Sequence, residues 1–244
     1  MMMSQSSGRR GITWAIVGGV VLLVGIAAII VSALLSQPAP TTTDTASPTP
    51  EPMPSTREPL DGSFVDPSAG ARGWTPEPIT TDAATYIRAA LEAASTFDTT
   101  QSRREEWLDY LDMWFTPDTR FTSEADRLTA MADSQTELRR GVVLPQVEWD
   151  SLAGEDGRVV AVTTGQIADV TVTDDRTGDM SIGTADVTLT FTRSDGSGGE
   201  TSYDEQVRVS VQVLCGASSV PAPHTDQQPG DCKVVRYFTE PLEP

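Results

Sequence analysis

AALEAASTFDTTQSRREEWLDYLDMWFTPD, residues 89 to 118, holds a helical period with a single break in it. Ile87, Ala90, Leu91 and Ala94 recur at i, i+3, i+4 and i+7 and make one face of a first helix, starting near Thr80. A short threonine-rich break follows. Ser102-Arg-Arg-Glu105 then fits a capping box, in which the serine accepts from the N3 amide and the glutamate reaches back. The helix it opens, EEWLDYLDMWF, puts Trp107, Leu108, Leu111, Trp114 and Phe115 on one stripe, and Pro117 marks where it has ended. A stripe at this spacing is the ordinary signature of a core face. Its large aromatics also make Trp107, Leu111, Trp114 and Phe115 the candidate residues for a pocket or interface. A second capping box, Ser123-Glu-Ala-Asp126, opens a third helix with Ala125, Leu128, Met131, Ala132 and Leu138 expected inward and Gly141 at its end.

After Gly141 the period changes to two. VVLPQVEW (142–149) and RVVAVTTGQIADVTVT (158–173) read as strands, the second bending near Gly165. DDRTGD (174–179) is a turn. Ala185, Val187, Leu189 and Phe191 then alternate with Asp186, Thr188, Thr190 and Thr192, a half-buried strand with one wet face. SDGSGG (194–199) is a hairpin turn, and Val207, Val209, Val211 and Val213 alternate beyond it. KVVRYF (233–238) closes the series. Helices first and strands afterwards give an α+β class: three N-terminal helices packed on one face of a curved antiparallel sheet of about five strands. Residues 80–244 are long enough to bury a core.

Ahead of that domain the composition changes twice. Residues 36–79 are rich in Pro, Thr and Ser and read as an extended linker, with Phe64, Val65 and Trp74 near its end able to pack onto the domain. Residues 12–35 are 24 residues without a charge, which as a helix cover about 36 Å, enough to span a bilayer core. The run is longer than the apolar region of a cleaved signal peptide and no A-x-A site follows it, so an uncleaved anchor is expected. Arg9 and Arg10 precede the span, and the first basic residue after it is Arg57. The positive-inside rule therefore leaves residues 1–11 as a cytoplasmic tail and places the C-terminal domain outside the cell membrane.

The stretch 89–118, taken with the strand order, resembles the cone-shaped superfamily named after nuclear transport factor two. Combined with one N-terminal span and a Pro-rich spacer, it is similar to two groups. One is the bitopic scaffold subunit of type IV secretion and conjugation machines; the other is the membrane-anchored proteins associated with actinobacterial lipid-import operons. The resemblance is one of architecture and implies a non-enzymatic role: a domain that forms homo-oligomers and docks other envelope or secretion-system proteins. The alternative it implies is an accessory protein that binds a lipid or other apolar ligand in its cone.

The chemistry-bearing residues point the same way. A formal charge of −18 opposes nucleic-acid binding. No Walker, dinucleotide or G-x-S-x-G pattern occurs, and Asp169, Asp186, Asp204 and Glu205 fall on polar strand phases or at strand starts. The acid clusters at 150–156 and 174–179 do not follow the calcium-loop pattern. No catalytic, cofactor or metal residue is assigned. The lone lysine, Lys233, and the absence of asparagine read as compositional bias. Cys215 and Cys232 bracket a Pro-rich loop between two strands expected to pair, outside the membrane where thiols oxidise, so a disulfide is expected at the loop's base. His224 within that loop is expected to be exposed.

Overall fold

In the computed structural model, which describes residues 63–244, five antiparallel strands lie in the order β1-β2-β3-β4-β5. They are β1 (Phe97–Asp98), β2 (Arg158–Val170), β3 (Met180–Ser194), β4 (Glu200–Leu214) and β5 (Lys233–Phe238). A 3-10 turn (Pro67–Arg72) precedes α1 (Ala83–Ala93), α2 (Arg104–Asp112), α3 (Glu124–Gly141) and α4 (Gln146–Ala153). The expected transmembrane span at 12–35 lies outside the described residues. Among those described, no helix is long and apolar enough to cross a membrane.

The centre of the sheet is the β3–β4 hairpin, paired without a bulge from Met180↔Leu214 to Ser194↔Glu200. Its alternation sends Ala185, Val187, Leu189 and Phe191 inward with Val211 and Val213, against Tyr86, Ile87, Ala90 and Leu91 of α1. Gly183 sets how near that helix lies, because a Cβ there would stand 2.7 Å from Ile87 Cγ2. In β2 the register shifts between Thr164 and Ala168 around Gly165, whose φ of +71° favours glycine. The bend expected at that glycine is therefore a β-bulge.

Both long edges of the sheet are occupied. Along β2 the amides of Ala161 and Thr163 donate to Thr96 Oγ1 (3.0 Å) and Glu92 Oε1 (3.1 Å), and Arg88 donates to the Thr163 carbonyl (3.1 Å). The last two of these partners lie on α1, so helix side chains take the place of a neighbouring strand. Along β5 the Val234 amide donates to Trp114 O and its carbonyl accepts from the Thr116 amide.

Four expectations are corrected. The strand expected at 142–149 is instead a loop leading into α4. Pro145 can offer no amide to a ladder but suits a helix start, and Trp149 and Leu152 bury at helical spacing. Among the described residues the helices therefore number four plus the 3-10 turn, and β1 is the short pair Phe97–Asp98. On α3 only Leu138 of the expected inward set is buried; Met131 is half-buried, Ala125 and Ala132 are exposed, and Leu128 is 49 % exposed. That helix is held at its C-terminal half, by Leu138 and by ion pairs of Arg139 with Asp112 and of Glu137 with Arg236. The Ser123 cap forms as expected, accepting from the Asp126 amide. The first box is displaced by one residue, Glu106 accepting from the Arg103 amide, because Ser102 Oγ is taken by the indole of Trp74.

The fourth correction concerns the linker. Its last residues, 63–79, lie in the folded unit, with Trp74 buried, in line with the packing expected of it, and Glu77 buried as well. Backbone bonds from Val65 to Glu77 and from Ile79 to Ser63 fold this segment into a strap on itself.

Candidate functional site: a buried acid–lysine centre under a stapled loop

The strap carries Glu77 inward between Pro76 and Pro78, whose fixed φ favours extended backbone. It is seated by Trp74, stacked on Tyr110 with centroids 4.9 Å apart, and by the tight turn at Gly73, where φ is +76°. A Cβ at Gly73 would sit 2.4 Å from that of Asp98, so only glycine fits. The hydroxyl of Tyr110 accepts from the Glu77 amide and donates to the Thr75 carbonyl, each at 2.9 Å. From the other end of the chain comes Lys233, the first residue of β5. Its neighbour Cys232 donates its amide to the Thr80 carbonyl at 2.8 Å.

Glu77 is 0 % exposed and Lys233 is 1 % exposed. Glu77 Oε1 accepts three hydrogen bonds: from Tyr86 Oη at 2.6 Å, Lys233 Nζ at 2.8 Å and Gln227 Nε2 at 3.1 Å. Lys233 Nζ also donates to the Met113 carbonyl (2.6 Å) and to Gln227 Oε1 (3.3 Å). Glu77 Oε2 is buried and has no hydrogen-bond partner. Burial pushes the Glu77 carboxyl up, against the pull of the Lys233 charge, and burial pushes the Lys233 ammonium down. The Tyr86 phenol is pushed well above its ordinary value, by burial first and then by the Glu77 charge. The environment thus drives both members of the pair toward neutrality.

Above this centre lies the loop closed by the disulfide between Cys215 and Cys232. Its buried residues face inward: Gln227 joins the centre, and Ala222 donates its amide to Gln227 Oε1 at 2.9 Å. The Val220 amide reaches Thr116 Oγ1 at 2.9 Å, and Gly230 reaches Ser219 Oγ. Pro223, His224, Asp226 and Gln228 remain on the outside. His224 is exposed with a φ of +62°, at a tip held by these contacts.

The stripe residues lie in the interior. Trp107 packs against the stacked pair Phe97 and Trp149, Trp114 tilts against Tyr86, Phe115 meets Tyr237, and Leu111 is buried in the same core cluster. A separate apolar cleft of about 250 Å³ opens where the concave face runs beyond the helices, lined by Phe97, Val143, Leu144, Val159, Leu189 and Phe191. None of the four stripe residues lines it. Sequence reasoning missed the centre because Glu77 sits in proline-rich sequence and its partners lie far away along the chain. One signal was present: a single lysine, in a chain otherwise using arginine, opening an apolar strand beside a cysteine.

No protein-family model matches the chain. No curated protein matches it either. Among solved structures, the chain is similar to the crystal structure of CagV, a VirB8 homolog of T4SS from Helicobacter pylori strain 26695. That similarity has 14 % identity and a TM-score of 0.28, over 55 % of this chain and 78 % of that one. At that score the likeness carries no conclusion about this chain.

Proposed function

We propose that this chain is a non-enzymatic docking module of an envelope secretion or conjugation apparatus, anchored by residues 12–35 with its folded domain on the outer side of the membrane. The observation that carries this reading is α3. An 18-residue helix that buries only Leu138 contributes little to its own core. It leaves Leu128 49 % exposed, while Phe121 and Met113 in the segments before it are more than two-fifths exposed. Large apolar side chains held outward on a helix and its approach suit a partner surface.

Two further features support the same reading. The interior acid is engaged by three donors and closed off from solvent, which leaves a substrate no approach to it. The aromatic stripe fills the space in which the rival reading, a lipid carrier, needs a cavity. Two shallow clefts of about 250 and 310 Å³ adjoin at Leu144 and Phe191, at the low end of the roughly 300–1,000 Å³ of ordinary ligand pockets, and the second is rimmed by Glu148, Glu155, Arg193 and Glu205.

The test is a photo-activatable phenylalanine analogue at Leu128, and in a second variant at His224, in the full chain within its native membrane. Protein adducts, to an envelope protein or to a second copy, are expected at Leu128. Adducts to lipid alone would overturn the docking reading and favour the carrier.

A further inference from the structure

The hydrogen bonding of Glu77 is lopsided. Oε1 takes all three donors and Oε2 takes none. A carboxylate shares its charge between two equivalent oxygens. A carboxylic acid does not, and its carbonyl oxygen is the one that collects donors. In the neutral pair that proton transfer from Lys233 to Glu77 creates, Oε1 is the carbonyl oxygen and Oε2 the hydroxyl, with the amine nitrogen 2.8 Å from Oε1.

We propose that Lys233 and Glu77 condense into a side-chain amide that ties β5 covalently to the strap ahead of α1. A proton first passes from the Lys233 ammonium to Glu77, leaving a neutral amine and a neutral acid. The Nζ lone pair attacks Cδ, and negative charge develops on Oε1. Tyr86 Oη and Gln227 Nε2, at 2.6 and 3.1 Å, are two neutral donors already aimed at that oxygen. The Cδ–Oε2 bond then breaks, and Oε2 leaves as water with its own hydrogen and one from the nitrogen. Nothing is oxidised or reduced and no co-reactant is required.

Two physical effects favour the product. Both reactants are held on rigid elements in direct contact, which replaces an encounter in solution with effective molarities of about 10⁵ M and above in well-oriented cases. Hydrolysis in water is driven by solvating the ions it releases. Inside this core those ions are desolvated, whereas a neutral amide keeps Tyr86 and Gln227 as its partners. The upward displacement of Glu77 and the downward displacement of Lys233, both caused by burial, favour the reactive forms.

The experiment is mass spectrometry of the full chain purified from membranes with its disulfide reduced, beside the Lys233→Arg variant. The expected mass is that of the sequence less one water. Trypsin should yield a branched peptide joining residues 73–88 to residues 209–236, uncut after Lys233. The variant should show the uncrosslinked mass and separate peptides; the unsubstituted chain decides the matter even if that variant does not fold. A mass equal to the sequence, with cleavage after Lys233, would overturn the proposal. So would loss of ammonia in place of water, which would make Gln227 the acyl donor.

Discussion

Lys233 Nζ lies 2.8 Å from Glu77 Oε1, joining residues 156 positions apart, and both side chains are closed to solvent. Removing one partner strands the other in the core. With the two side chains uncondensed, Glu77→Ala is expected to lower stability by about 3–5 kcal/mol, the range for breaking a buried pair. Replacing both, as Glu77→Leu with Lys233→Met, should recover most of that loss because two apolar groups leave no stranded charge. Urea unfolding of residues 59–244 checks both; equal destabilisation of the single and double variants would contradict the account.

The strap belongs to the domain, so where the chain is cut matters. A chain of residues 80–244 loses Trp74, which stacks on Tyr110, and Glu77. It should lose the fixed tertiary packing of its aromatics, seen as a collapsed near-ultraviolet circular dichroism signal, while residues 59–244 keep theirs. The single change Trp74→Ala should cost about 3–5 kcal/mol, as for other buried tryptophans. Equal signals from the two chains would show the strap to be dispensable.

The disulfide closes a loop whose ends are 17 residues apart. Replacing both cysteines by serine should cost about 3 kcal/mol in the chain-entropy view of cross-links. Thiol titration of the folded, unreduced protein should find no free thiol. Two free thiols would refute the bond.

Asp82 caps α1, its carboxylate accepting from the Thr85 amide at 2.7 Å. The side-chain and backbone hydrogen bonds from Thr85 hold its carboxyl below the ordinary value of 3.8. A group depressed in the folded state stabilises above its unfolded pKa and loses that contribution as pH falls through the folded value. Asp82→Ala should therefore cost about 1 kcal/mol at neutral pH. The gap from the unsubstituted protein should close only at pH values below 3.8. A gap that persists unchanged at pH 2 would show that the carboxylate's charge is irrelevant to the cap.

How much of this was legible follows from the range of the interactions. The faces of α1 and α2 and the alternation of β3 and β4 are local periodic patterns set by burial on one side, and they stood in the sequence plainly. So did the Ser123 cap, a contact within three residues. α4 was misread because VVLPQVEW offers apolar residues at both periods; Pro145 and the Trp149–Leu152 spacing decide it. α3 misled in another way, since its apolar residues do mark a face, but that face is only partly covered. Glu77 could not be found locally: its three donors are at 86, 227 and 233, and its surroundings read as spacer. Trp107, Leu111, Trp114 and Phe115 lie buried in the core cluster, as a stripe at that spacing ordinarily does.

The central claim, a docking module with a filled interior, is tested most directly by native mass spectrometry of residues 59–244 made in an oxidising compartment. The account predicts protein free of bound lipid, with a self-associated species growing as concentration rises and weakened by Leu128→Glu. A strictly monomeric protein that carries a lipid through purification would contradict it.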